Sequence, residues 1–396
     1  MSKNVGTVSR GIKAPIIRQG DDLSEIVVQS VLDAAKNDKF EINDKDVISI
    51  TESIVARSQG NYCTTDDIAA DVKAKLGSEN IGVVFPIMSR NRFSLILSGF
   101  AKAAKHITIQ LSYPSDEVGN KLISNEALLE SGADPYKDSF TLEEFKKLFP
   151  DTRHEFTGVD YPAFYKELVE KNGAKCDIIF SNNAAKILDY ASEVIVSDIH
   201  TRAFTKNIIK KAGAKKVLTL DEIMTDKKPG AGFNEKYGLL GSNKATEESL
   251  KLFPNECKPL CEKIQQKMKA LTGKNIEVMV YGDGAFKDPA GGIWELADPV
   301  VSPGFTDGLN GTPSEIKLKY VADNDYADLS GEELSLKIKE RIRQKDQNLV
   351  GKMVSEGTTP RRLTDLIGSL SDLTSGSGDK GTPIVLVQGY FDNYGK

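Results

Sequence analysis

Cysteine, histidine and tryptophan are scarce in this chain: its 396 residues include 4, 3 and 1 of them. Cys63, Cys176, Cys257 and Cys261 form no CxxC pair, and His106, His154 and His200 are scattered. The sequence therefore encodes no zinc ribbon and no histidine-built zinc centre. Cys257 and Cys261 share one face of an expected helix, with no further Cys or His cluster near them, which favours buried reduced thiols over metal ligation. A basic surplus is also lacking. The net charge of −5 argues against a nucleic-acid binder that relies on bulk charge. No apolar run approaches ~18 residues, and no basic stretch followed by an apolar one opens the sequence. The expectation is a cytoplasmic protein with no membrane segment. Two nucleotide fingerprints are missing as well, G-x-x-x-x-G-K-[ST] and G-x-G-x-x-G. A nucleotide site in this chain must have another design.

What is present describes a globular chain. Hydrophobic residues make up 39% and charged residues 28%, enough apolar matter for a sizeable core in one large or two to three ordinary domains. Strand-like Pro15-Ile-Ile precedes a turn at 18–22. Apolar spacing then predicts a helix over 23–35, with Asp21 or Asp22 as N-cap. A strand over 47–50 and a short helix capped by 65–67 follow, ending near Leu76 and Gly77. From about residue 81, strand-like and helical runs alternate to about 220, the pattern of a parallel sheet covered by helices. Residues 225–232 read as a linker-like break. Beyond it come a helix over 258–272, a strand over 277–281, a Gly- and Pro-rich loop region over 289–311, helices over 329–343 and 361–373, and a last strand over 384–387. The fold class is α/β and α+β: a mixed core built from both chain ends (1–85 and 236–396) with an inserted parallel α/β domain (86–235).

Two polar loops beside strongly apolar strands carry the clearest chemistry. Residues 46–60 pass from a strand into Glu52, Ser53, Arg57 and Ser58. Residues 375–383 hold Ser375, Gly376, Ser377, Gly378, Asp379 and Lys380 before the final strand. Glycine lets backbone N–H groups approach an anion closely, so such loops suit phosphate. If the two ends meet, they form one nucleotide site. Asp283, just past a buried strand and flanked by glycines, has the setting of a ligand for a hard metal ion; a tight turn is the plainer reading. Arg90 and Arg92 follow a strand and suit a phosphate or carboxylate, and equally suit a solvated helix start. Asp198, His200 and Arg202 follow another strand, at the edge where open parallel sheets bind ligands. Helix capping explains part of that pattern.

Three blocks of the sequence resemble a known family. The first runs from Ile16-Ile-Arg-Gln-Gly-Asp-Asp-Leu into Asp46-Val-Ile-Ser-Ile-Thr-Glu-Ser-Ile-Val-Ala-Arg-Ser-Gln-Gly. The second comprises Gly241-Ser-Asn243, Leu252-Phe-Pro254 and Val278-Met-Val-Tyr-Gly-Asp283. The third comprises Leu363-Thr-Asp-Leu-Ile-Gly-Ser-Leu and Gly381-Thr-Pro-Ile-Val-Leu-Val-Gln-Gly. In this order they are similar to the coenzyme F-420 gamma-glutamyl ligases, and the chain looks like an extended member with a large insertion.

The resemblance implies a GTP- or ATP-dependent enzyme that uses magnesium or manganese to turn a carboxylate into an acyl phosphate, which the amine of L-glutamate attacks. It implies that Pro15, Ile16, Glu52, Ser53, Arg57 and Asn243 line the nucleotide, that the loop over 375–383 lies on the phosphates, and that Asp283 holds metal, with Asp379 substituting for the family's acidic position at Ser377. Arg57 and Lys380 would add cationic support to the transfer, with Asp283 as the third catalytic residue. Arg90, Arg92, Asp198, His200 and Arg202 would bind the small carboxylate acceptor. The family also implies a homodimer. Leu240 and Ser377 stand where the family carries acidic residues, so a non-catalytic nucleotide- or metabolite-binding protein on the same scaffold is the alternative.

Overall fold

The structure is a computed structural model that describes residues 5–395, except 92, 156, 283–284, 288–293, 297–300, 347, 350, 356–360 and 377. The chain forms two compact units. The first combines Met1–Ser58 with Asn255–Lys396, and the second is Gln59–Pro254. The segment read from sequence as inserted, 86–235, falls inside the second unit.

The first unit is built on a five-stranded sheet whose order runs Val8–Ile12, Ile384–Gln388, Val47–Thr51, Glu277–Gly282, Val301–Phe305. Val47–Thr51 and Glu277–Gly282 are parallel, and the other neighbours are antiparallel. Both faces of the central strands are covered, which is why they read as continuous apolar runs rather than as alternation. Ile48, Ile50, Val278, Val280, Ile384 and Leu386 pack with Val27 and Val31 of the Leu23–Asn37 helix and with Cys261, Ile264 and Met268 of the Cys257–Thr272 helix. Met279, Tyr281, Val385 and Val387 face Ile367 of the Leu363–Ser375 helix. Full burial of each such aliphatic side chain contributes about 1.5–3 kcal/mol. Asp22 caps the first helix by accepting from the Glu25 amide at 3.2 Å.

Two strands of this five-stranded sheet lie where the sequence reading put none. The opening strand is Val8–Ile12, not the Pro15 segment. It is an edge strand with half-exposed side chains, so it carries little hydrophobic signal, and Pro15 has no N–H with which to extend a ladder. Val301–Phe305 is a strand inside the region read as loop. Its Gly304 is required by packing: a Cβ there would stand 2.4 Å from the Cys257 carbonyl carbon.

The second unit holds a six-stranded sheet in the order Phe140–Thr141, Lys175–Phe180, His106–Leu111, Asn80–Val84, Glu193–Val196, Lys216–Thr219. All neighbours are parallel except the short Phe140–Thr141 edge. The chain starts in the middle at Asn80–Val84, builds outward to one side, then returns to build the other. The direction of winding therefore reverses between Asn80–Val84 and Glu193–Val196, a topological switch point. Gly82 sits in the first of these strands because a Cβ would meet Ile187 at 2.5 Å. The Thr65–Leu76 helix is capped one residue earlier than the sequence reading placed it. Thr64 accepts from the Asp67 amide at 3.1 Å while Asp67 accepts from the Thr64 amide at 2.8 Å. Asn61, buried, donates to Phe253 O at 2.6 Å and Phe233 O at 3.0 Å. It thereby fixes the segments beside a three-stranded sheet of Asn243–Lys244, Ser249–Lys251 and Tyr62–Thr64. The mixed α/β character expected from sequence is what the fold has.

Candidate functional site

In the first unit, the strand ends bring distant segments to one edge of the sheet. Ile12 pairs with Ile384, and Ile384 pairs with Ile50. Just beyond these pairs, the Ala14 amide donates to Gly381 O at 3.2 Å and the Thr51 amide donates to Pro383 O at 3.1 Å. Tyr281 lies opposite Thr51 in the parallel pair. Four segments thus end together: 12–16, 51–53, 281–282 and 381–384.

The 375–383 loop is shaped by its own contacts. Gly376 and Gly381 have φ of 62° and 66°, left-handed values that cost an L side chain roughly 1–2 kcal/mol. Thr382 Oγ1 donates to Ser375 O at 3.0 Å, closing the loop across its neck. Lys380 folds back over the loop: a Cβ on Gly376 would lie 2.8 Å from Lys380 Nζ. Glycine at 376 therefore leaves room for an ammonium against the backbone, a combination that favours an anion. Gly376, Gly378, Asp379 and Lys380 are exposed, and Ser375 is half-buried. Pro15 and Ile16 lie exposed beside this loop, Ile16 at 80%.

Glu52 opens the Glu52–Gln59 helix at the end of the Val47–Thr51 strand and is buried. Its charge raises the Cys257 thiol, but burial is the larger cause in pushing that thiol up to about 12. Ser53 follows, half-buried. Arg57 sits in the last turn of the same helix, exposed. At 1.5 Å per residue it is about 7.5 Å along the axis from Glu52. Asn243 belongs to the second unit, opposite Lys251. Asp283, Arg92 and Ser377 lie outside the described residues.

Sequence reasoning did not single out Thr382 or the Tyr281 hydroxyl. Tyr281 is 1% exposed and burial pushes its hydroxyl up to about 12, with Ser375 opposing the shift. The signal was available, since Tyr281 ends a buried strand and Thr382 stands between the glycine and proline that precede another.

In the second unit, three loops at the carboxyl ends of the strands are tied by two adjacent carboxylates. Asp116 accepts from the Met88 amide at 2.8 Å, so the loop after His106–Leu111 holds the loop after Asn80–Val84. Glu117 accepts from the Ile199 amide and, at 3.0 Å, from the His200 amide, holding the loop after Glu193–Val196. Tyr165 reinforces the first of these loops, donating to Ile87 O at 2.8 Å and accepting from the Ser89 amide at 2.9 Å. Asp198 is buried, with Oδ2 accepting from Thr201 at 2.5 Å and Thr205 at 2.7 Å. Burial raises its carboxyl above the usual range, and burial does the same to Glu117. Arg202 is committed to Asp221 at 3.1 Å and to Ile199 O, while His200 and Arg90 are exposed. The predicted residues Asp198, His200 and Arg202 do share one strand end; the carboxylates that organise it, Asp116 and Glu117, were missed. They stand five and six residues past the His106–Leu111 strand, whereas Asp198 stands two past Glu193–Val196, so the strand-end pattern that marked Asp198 does not mark them.

All four cysteines are free and buried. Among the described residues no three His, Cys, Asp or Glu side chains gather to hold a metal ion. No described helix is long and apolar enough to cross a membrane.

The five-stranded sheet thus joins both chain ends at one glycine-rich, lysine-bearing loop. The family model for F420-0:gamma-glutamyl ligase matches residues 11–389. The chain belongs to that family, and is a gamma-glutamyl ligase in the general sense the family name carries. No curated protein matches it.

Proposed function

We propose that the chain is a nucleotide- and divalent-metal-dependent ligase that joins a small carboxylate to an amine such as that of L-glutamate, with GTP or ATP as co-substrate. The observation that carries this reading is the meeting of the 12–16, 51–53 and 375–383 segments at one sheet edge, fixed by Ala14–Gly381 and Thr51–Pro383. The γ-phosphoryl group passes to the acceptor carboxylate and the nucleoside diphosphate leaves. The amine then attacks the acyl carbon, inorganic phosphate departs and the nitrogen gives up a proton. The work of the protein in such a transfer is positioning and charge stabilisation.

Backbone N–H groups of the 375–381 loop and the Lys380 ammonium hold the phosphates. Pro15 and Ile16 offer an apolar surface to the nucleotide, beside Glu52 and Ser53. Arg57, on the far turn of its helix, requires an extended side chain to reach the phosphates. The carboxylates proposed for the metal are Asp283 and Asp379; the ion when bound would neutralise phosphate charge. The described residues alone do not make a metal centre, and the loop and lysine act on the phosphates independently of one. Asn243 is proposed as a nucleotide contact, and Arg90, Arg92, Asp198, His200 and Arg202 as substrate contacts. A homodimer in the cytoplasm is the expected setting.

The test is incubation with GTP or ATP, manganese, L-glutamate and a panel of small acids. Phosphate release that needs both an acid and an amine supports the reading. Absence of release with every acid overturns it.

A further inference from the structure

Tyr281 stands one residue before the end of the Glu277–Gly282 strand and is 1% exposed. Its side chain, like that of Met279, packs with Ile367 and Leu370 of the Leu363–Ser375 helix. Its hydroxyl has no hydrogen-bond partner. A buried tyrosine hydroxyl is ordinarily paired, and an unpaired one destabilises the fold. Phenylalanine would fill the same apolar cluster without that cost, so packing does not account for the hydroxyl. The two ends of the 375–383 loop converge on this part of the sheet. The helix that Tyr281 packs against ends at Ser375, where the loop begins. Thr51, opposite Tyr281 in the sheet, donates its amide to Pro383 O, where the loop ends. Burial above all, opposed by Ser375 and aided by the charge of Asp372, keeps the hydroxyl protonated up to about 12. It is therefore a donor in need of an acceptor at any ordinary pH. Ser375 Oγ donates its own proton to Asp372 O at 2.9 Å, and a hydroxyl oxygen keeps lone pairs with which to accept.

We propose that Tyr281 is a positioning residue for the phosphate loop: in the nucleotide complex its hydroxyl donates to Ser375 Oγ and fixes the residue from which the loop springs. The inference rests on the nucleotide part of the proposed function and adds a residue to it. Gly376 follows Ser375 directly with a φ of 62°, so the setting of Ser375 decides where the next amides point. A hydrogen bond made only in the complex favours the complex, because a ligand shifts a protein toward the arrangement in which the two gain more.

The test pairs nucleotide affinity with stability. The full chain is titrated calorimetrically with GTP and with ATP, magnesium present, and unfolded in urea without nucleotide. Tyr281→Phe should weaken binding about three- to tenfold, the worth of one hydrogen bond. Its urea midpoint should equal or exceed that of the wild type, whereas loss of a merely structural hydroxyl would lower it. Ser375→Ala should weaken binding to the same extent, and the double variant no further. Ser49→Ala removes another buried hydroxyl that has no partner, opposite Met279 in the sheet, and should bind as the wild type does. Unchanged affinity in Tyr281→Phe, a lowered midpoint, additive losses in the double variant, or an equal loss in Ser49→Ala would each overturn the inference. A wild-type chain that binds neither nucleotide would overturn it together with the ligase reading, while binding that Tyr281→Phe leaves intact counts against the inference alone.

Discussion

The amide of Ala14 donates to the carbonyl of Gly381 across 3.2 Å, joining residues from opposite ends of the sequence. The bond extends the Val8–Ile12 pairing with Ile384–Gln388 past the last ladder residue. It holds the glycine-rich loop against the segment that carries Pro15 and Ile16. The candidate site is therefore part of the sheet's own hydrogen-bond plan.

Gly381 and Gly376 occupy left-handed backbone, so Gly381→Ala should destabilise the protein by about 1 kcal/mol. Gly376→Ala should cost a similar amount and also displace the Lys380 ammonium, which lies 2.8 Å from the added carbon. Urea unfolding checks the first effect. Nucleotide affinity should fall more for Gly376→Ala than for Gly381→Ala.

Asp116 accepts from the amides of Met88, Val118 and Asn120 and from the Asn120 side chain, at 2.7–3.1 Å. Asp116→Ala strips a partner from each, and should cost about 2–4 kcal/mol. Hydrogen exchange should show lost protection at the Met88 amide.

Asp71 is buried and ion-paired with Lys75 at 2.8 Å and Lys228 at 2.6 Å, and it accepts from the Met224 amide at 2.8 Å. Burial acts to raise its carboxyl, but these partners outweigh it and the net direction is down. A folded-state value below the unfolded one gives stability that is present above about pH 4 and lost as pH falls through the folded value. The stability gap between wild type and Asp71→Asn should therefore be full at pH 7 and close below about pH 4, as read by thermal unfolding across pH. Asp198 should behave oppositely. Its folded value is raised by burial, so its contribution favours folding at low pH and declines as pH rises above about 4.

Burial pushes the thiols of Cys63, Cys176 and Cys257 up to about 12, and that of Cys261 upward as well. A thiol-specific chromogenic reagent should label none of the four in the native protein at pH 8 and all four in urea.

The central strands and long helices were legible because burial on both faces leaves unbroken apolar runs. Val47–Thr51, Glu277–Gly282 and Ile384–Gln388 differ from the expected ranges only at their ends. The edge strands were not legible. Val8–Ile12 is half-exposed, and Val301–Phe305 contains Pro303 and Gly304, residues that ordinarily break a strand. The sheet-edge residues Glu52, Ser375 and Lys380 could be singled out because glycines and short polar side chains interrupt apolar runs there. Asp116 could not, since its importance lies in hydrogen bonds to segments distant or unremarkable in sequence. The reversal of winding at Asn80–Val84 is invisible to any local pattern, because strand order is a property of the assembled sheet.

The central claim is that the opening and closing segments of the chain surround one nucleotide. Photolabelling with azido-substituted GTP and ATP, followed by peptide mass spectrometry, tests it most directly. The account predicts that label protected by unmodified nucleotide appears in peptides from both 12–57 and 375–384. Protected label confined to the 80–220 region would contradict it.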